Sequence, residues 1–205
     1  MRRLAILGAS GHGKVVADTA LAQGWSEIVF FDDAWPNVSS NGRWPVLGNT
    51  ESLLCFAAGY DGIAVGIGNN SVRREKMKLI ECKGLKLATI IHPSAVVSDY
   101  ALIGKGTVVC AKAAVNVDVQ IGAGGIINTG AVIEHDCCLG DYVHVSPNAV
   151  LSGGVTLGHE VWVGAAASIK QLVSVGNKAV IGMGSVILRD VAPEVTVVGN
   201  PVRIL

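Results

Sequence analysis

The sequence predicts two structural parts: a small α/β unit with a parallel sheet over residues 1–91, then a parallel β-helix built from hexapeptide repeats over residues 92–205. Three observations carry this. From Val96 to Val191 the chain divides into sixteen consecutive hexads, each with a branched aliphatic at its second position and no insertion. Ahead of them, short apolar runs alternate with helical patterns, the signature of a parallel sheet with crossover helices. A glycine-rich loop, Gly8-Ala-Ser-Gly-His-Gly13, joins the first run to the first helix.

A period of six suits neither an α-helix nor a long strand, but it suits short strands separated by sharp corners. Three hexads make a triangular coil, and coils stack in parallel at about 4.8 Å. The second-position aliphatics fill the interior, so that Val97, Val115, Ile133, Leu151, Ile169 and Ile187 form one stack. A small sixth residue leaves room beside each of them. Glycine often follows the aliphatic, as at Gly104, Gly122, Gly140 and Gly164, and is expected to supply positive φ at the corners. After Val191 the tail leaves the frame.

The N-terminal elements follow in order. Leu4–Ala9 reads as a buried strand, residues 10–13 as a loop, and Lys14–Gln23 as a helix stopped by Gly24. Ile28–Phe31 is a second strand ending in Asp32-Asp33. Residues 34–45 are loop or irregular hairpin. Thr50–Ala58 is a short helix with Thr50 as its cap, Ile63–Ile67 a third strand followed by Gly68-Asn69, and Val72–Cys82 a helix capped by Ser71. Leu87–Ile91 is a fourth strand.

Composition excludes several functions. Lys+Arg and Asp+Glu each number 16, so no basic excess points to nucleic acid or an anionic membrane. No apolar run approaches the ~20 residues of a membrane span, and Leu4–Ala9 is too short for a signal-peptide core. The five cysteines form no CxxC pair and no metal spacing. Cys137 falls at a small-residue position of the repeat, which implies packing. The expectation is a reduced, cytoplasmic protein with no metal. Half the residues are hydrophobic, which suits a chain that also buries surface in an oligomer.

Chemistry concentrates in two places. The glycine loop lets backbone N–H groups approach a phosphate at a helix N-terminus. Its spacing is GxxGxG rather than the dinucleotide fingerprint GxGxxG, which weakens a nicotinamide reading. Asp32, Asp33 and Gly68 end neighbouring strands, and C-terminal strand ends line one crevice in a parallel sheet. In the repeat, His135 lies between Glu134 and Asp136, faces outward, and stands one coil below Gly153. A neighbouring carboxylate can raise the basicity of an imidazole and fix its tautomer. His144 shares its register with Trp162, eighteen residues on.

The motifs GASGHGKVV, FFDD, VGIGNN, IHPSA, INTGAVIEHDCCLGDYVHVSP and VVGNP together resemble the bacterial hexapeptide-repeat acyltransferases that acetylate nucleotide-linked 4-amino sugars, including the bacillosamine-pathway enzymes and the related sialic-acid O-acetyltransferase-like proteins. The resemblance implies a Rossmann-like α/β unit holding the sugar nucleotide and a left-handed β-helix that forms a homotrimer. Acetyl-CoA would lie in the groove between two helices. It implies sugar-nucleotide contacts at Ser10, Gly11, His12, Asp32, Asp33 and Gly68. It makes His135 the base and Asp136, one methylene shorter than the Glu of some members, the acid that tunes it. It puts Asn128 and His144 near the acetyl group, with Ala165 and Met183 touching CoA through backbone. The implied reaction is acetyl transfer to the sugar amine. Transfer to a sugar hydroxyl, a non-catalytic sugar-nucleotide-binding trimer, and an NAD-linked oxidoreductase remain the alternatives. The last leaves the sixteen hexads without a role.

Overall fold

The computed structural model describes residues 2–205. The chain divides into two units, Met1–His92 and Pro93–Leu205.

The N-terminal unit is built on three parallel strands: β1 (Arg3–Leu7), β2 (Glu27–Phe31) and β5 (Gly62–Val65), in the order β2-β1-β5. Their near-continuous apolar runs reflect burial on both faces: Leu4, Ile6, Phe30 and Ala64 are at most 1% exposed. Helix α1 (Gly11–Ala22) crosses from β1 to β2, α2 (Thr50–Phe56) precedes β5, and α3 (Asn70–Cys82) follows it. A two-residue hairpin, β3 (Ser40–Asn41) with β4 (Trp44–Pro45), fills the expected irregular segment.

Several boundaries differ from the sequence expectation. Helix α1 starts three residues early because Ser10 is its N-cap, accepting from the Gly13 N–H, so Gly11, His12 and Gly13 are its first turn rather than a loop. Asn49, not Thr50, caps α2, and Asn69, not Ser71, caps α3. In each case the asparagine side chain reaches the amide three residues on, as Ncap geometry requires. The expected fourth strand is reduced to a single bridge between Leu87 and Ile63 and the two residues Ile90–Ile91.

In the C-terminal unit the repeat folds as a parallel β-helix. Each hexad contributes a two-residue strand at its first and second positions, from Val96–Val97 to Val186–Ile187. Each pairs with the strand eighteen residues away, as in Val132↔Val150 and Ile133↔Leu151. One face carries six such strands and the second five. On the third, Ile126, His144, Trp162 and Val180 follow one another in register. From the third hexad onward every second-position aliphatic is buried, and from Val119 to Val173 so is every sixth-position residue. The tail continues the third face with Thr196–Val198, sixteen rather than eighteen residues past its partner, then turns back as the antiparallel strand Arg203–Ile204. That reversal ends a stack that would otherwise present an open edge.

The glycines after the aliphatic do not make the corners. Positive φ falls two residues later, at the fifth hexad position, at Gly106, Gly124, Gly130 and Gly154 and equally at Asp118, Asp136, Tyr142 and Asn148. The third-position glycines answer a steric demand instead: a Cβ on Gly140 would stand 2.8 Å from the carbonyl carbon of Gly158, and one on Gly164 would stand 2.6 Å from the Met183 nitrogen. Coil stacks on coil there with no room for a side chain.

Candidate active site

In the N-terminal unit the three strand ends converge. The Gly8 amide donates to Phe31 O and the Gly66 amide to Leu7 O. The Ser10 hydroxyl donates to Gly66 O at 2.8 Å while accepting from the Gly13 amide, so one side chain caps α1 and ties it to the end of β5. Gly8 (φ 110°) turns the chain out of β1. Gly13 lets the helix approach β2 closely, since a Cβ there would meet Phe30 Cε1 at 3.0 Å.

The two aspartates after β2 are anchored by the backbone. Asp32 accepts from the Ala9 amide at 2.7 Å through one oxygen and from the Ala34 amide at 2.9 Å through the other. Asp33 accepts from the Thr50 amide at 2.9 Å and from Lys76 Nζ at 2.6 Å. Partial burial alone would raise the Asp33 carboxyl, but the hydrogen bonds from Lys76 and Thr50 outweigh it and hold the group at about 2. Gly11 stands exposed with open space at its Cα, and the half-buried Gly68 has open space at its Cα too. Burial pushes the His12 imidazole down to about 4, and the positive charge of Arg73 adds to this, so His12 is neutral at physiological pH.

Arg73 is the feature that sequence reasoning missed. It sits in α3 at 1% exposure, an almost unheard-of burial for arginine unless it is fully paired. Its guanidinium donates to Ile67 O, Gly68 O and Asn70 Oδ1. It thereby clamps the loop that carries Gly68. Only its place among the apolar residues of an amphipathic helix hinted at this.

In the C-terminal unit, His135 occupies a fourth hexad position, at a corner leaving the six-stranded face. Asp136 follows with φ 61°, the left-handed conformation that aspartate tolerates better than most residues. Its Oδ2 lies 2.7 Å from His135 Nδ1, so the shorter carboxylate reaches the ring. This hydrogen bond raises the His135 pKa above its ordinary 6.5; slight desolvation opposes it, and the charges of Asp136 and Glu134 add to it. Glu134 is itself held by Asn116 Nδ2 at 3.0 Å. The expected open space over Gly153 is occupied by the imidazole: a Cβ on Gly153 would fall 2.5 Å from Cε1 and 2.6 Å from Nε2. A carboxylate only accepts, so Nδ1 carries the proton and Nε2 presents a lone pair.

A second cluster lies on the third face. His144 pairs in register with Trp162, and their rings stack with centroids 5.8 Å apart at 10°. Asn128 Nδ2 is 3.2 Å from His144 Nε2. Trp162 Nε1 donates to Ser146 Oγ at 2.8 Å. Beside the indole lies a cavity of about 350 Å³ lined by Ser146, Pro147, Trp162, Ala165 and Met183 among others. The structure thus joins Asn128, His144, Ala165 and Met183 along one face, and leaves the His135–Asp136 pair on a different corner of the same prism. Cys137 is a packing residue, fully buried with its thiol against Ser152 O. Among the described residues no group of three or more His, Cys, Asp and Glu side chains lies close enough to hold a metal ion, and no helix is long and apolar enough to cross a membrane.

Known proteins are similar to this chain in sequence and in fold. Residues 3–80 match the family described as the PglD N-terminal domain. The UDP-N-acetylbacillosamine N-acetyltransferase of Bacillus subtilis (strain 168) is 39% identical over 115 residues, which cover 54% of this chain and about half, 52%, of that enzyme. The acetyltransferase domain of PglB from Neisseria gonorrhoeae FA1090 is 43% identical with a TM-score of 0.94, over the whole of both chains, and a structure of it in complex with acetyl coenzyme A is equally similar. A histidine-to-asparagine variant of perosamine N-acetyltransferase from Caulobacter crescentus, bound to CoA and GDP-perosamine, is 35% identical, covering 100% of this chain and 97% of that one, with a TM-score of 0.94. The fold is therefore an N-terminal α/β unit followed by a left-handed parallel β-helix, and the chain belongs to the hexapeptide-repeat N-acetyltransferases of nucleotide-linked amino sugars.

Proposed function

We propose that this chain transfers the acetyl group of acetyl-CoA to the amine of a nucleotide-linked 4-amino-4,6-dideoxy sugar, with His135 as general base. The observation that carries this is the His135–Asp136 pair. The imidazole is exposed, its Nδ1 is tied to a carboxylate at 2.7 Å, and its Nε2 is free to face a substrate. The sugar amine attacks the thioester carbonyl, a C–N bond forms, and Nε2 takes the amine proton. As the C–S bond breaks, the same proton passes to the CoA thiolate. Asp136 holds the tautomer and stabilises the imidazolium that forms in between. The Gly154 amide is committed to the His135 carbonyl at 2.9 Å, so it does not serve as the oxyanion donor.

Acetyl-CoA runs along the third face, past Met183 and Ala165 toward Asn128 and His144. Because these residues and His135 stand on different corners, a complete site needs two copies, which supports a homotrimer with each site shared between neighbours. The N-terminal unit, residues 1–91, holds the sugar nucleotide: Ser10, Gly11 and His12 at the start of α1, Asp32 and Asp33 after β2, and Gly68 after β5. Residues 92–205 carry the chemistry. Five free thiols suit a reducing cytoplasm. The test is purified protein with acetyl-CoA and a panel of UDP-, dTDP- and GDP-linked amino sugars, following thiol release, with hydroxyl-only acceptors alongside. Release with an amine acceptor is expected; release only with hydroxyl acceptors, or with none, refutes the reading.

A further inference from the structure

We propose that Trp162 is the residue that limits the size of the transferred acyl group. This rests on the acetyl-CoA reading of the third face given above.

Among the outward-facing first positions of the third face, Trp162 is an outlier, an aromatic between His144 one coil before and Val180 one coil after. It divides two environments. On one side lies the apolar cavity of about 350 Å³, bounded by Ala165, Gly182 and Met183. On the other side is the polar pair of His144 and Asn128, 3.2 Å apart. A thioester that runs from the cavity to that pair must pass the edge of the indole.

The indole is 48% exposed, yet it is not loose. Its face lies on the His144 imidazole and its N–H is fixed by Ser146 Oγ at 2.8 Å. Ser146 is itself buried, at 6% exposure, so the anchor does not move. Met183, the other large side chain here, is 77% exposed and unbranched, and can bend away from a ligand. A wall excludes larger groups only if it cannot swing aside. Trp162 is the wall of this site that meets that condition, and removing its indole frees the volume that the ring occupies beside the acyl group.

The experiment compares acetyl-CoA with butyryl-CoA as donors to one accepted amino-sugar nucleotide, in wild type, Trp162→Ala, Trp162→Leu and Ser146→Ala. One extra or missing methylene in a hydrophobic pocket changes selectivity by about 10- to 200-fold. Trp162→Ala is therefore expected to raise the butyryl-to-acetyl ratio of kcat/KM by about 10-fold or more. Ser146→Ala keeps the ring but frees it, and gives a smaller rise. Should Trp162→Ala fail to fold, Trp162→Leu carries the same expectation. An unchanged ratio in the folded variants overturns the proposal, as does a wild type that uses both donors equally. A wild type that releases thiol from neither donor is a separate result, which removes the acetyltransferase reading and this proposal with it.

Discussion

Gly153→Ala tests the placement of the base without touching it. An ideal Cβ at Gly153 falls 2.5 Å from Cε1 and 2.6 Å from Nε2 of His135. Ordinary contact between such atoms is about 3.5–4.0 Å, so the ring must retreat by roughly 1 Å. The His135 side chain is 59% exposed, and only this side chain has to move. The backbone at Gly153 lies outside the left-handed region, so alanine is conformationally acceptable, and stability is expected to stay within about 1 kcal/mol of wild type or rise slightly. Activity is expected to respond differently. A misplacement of about 1 Å at a reacting group costs about 100-fold, and a ring that swings outward also gives up its 2.7 Å bond to Asp136. Steady-state thiol release should therefore fall by about two orders of magnitude, with an unchanged thermal melt. The double variant with His135→Ala should be no slower than His135→Ala alone, because both changes remove one function. Turnover of Gly153→Ala within about threefold of wild type refutes this account of the base.

His135→Ala should lower turnover by about 10²–10⁴-fold with little change in folding, the usual span for loss of a general base; measured thiol release at saturating substrates checks this. The pH profile has a definite sign: protonated His135 cannot accept a proton and Asp136 favours the protonated form, so kcat/KM should fall as pH drops through a value above 6.5, and Asp136→Asn should move that limb to lower pH. Arg73→Met leaves the carbonyls of Ile67 and Gly68 without a buried charged donor. At about 1.5–3 kcal/mol per such bond, urea denaturation should show a loss of roughly 3 kcal/mol or more. Leu151→Ala opens a cavity in a fully buried stack and should cost about 2–5 kcal/mol by the same measurement.

Much of the β-helix is legible in the sequence because its order is one-dimensional. A strict six-residue period assigns each side chain to interior or exterior before any coordinate is known, and Leu151 and Ile169 are buried as their positions demand. The conformation within a hexad is less legible. Glycine after the aliphatic suggested a corner, yet Asp136 and Asn148 take the positive φ while Gly140 and Gly164 serve close stacking. Both demands select glycine, so composition alone does not separate them. Helix caps show the same ambiguity. Asn49 and Thr50 are both capping types, and only the backbone angles at Asn49 decide between them.

The sequence by itself determined the register of the solenoid, the alternation of the N-terminal unit, and the company that His135 keeps, because each depends on spacing along the chain. Tertiary structure decided what spacing cannot carry: that the His135 ring leans over Gly153, that Trp162 is pinned between His144 and Ser146, and that Arg73 is buried to clamp the loop at Gly68. Each depends on a rotamer chosen by neighbours a full coil or an element away. The 2.8 Å hydrogen bond from Trp162 to Ser146 arises only once those coils have stacked.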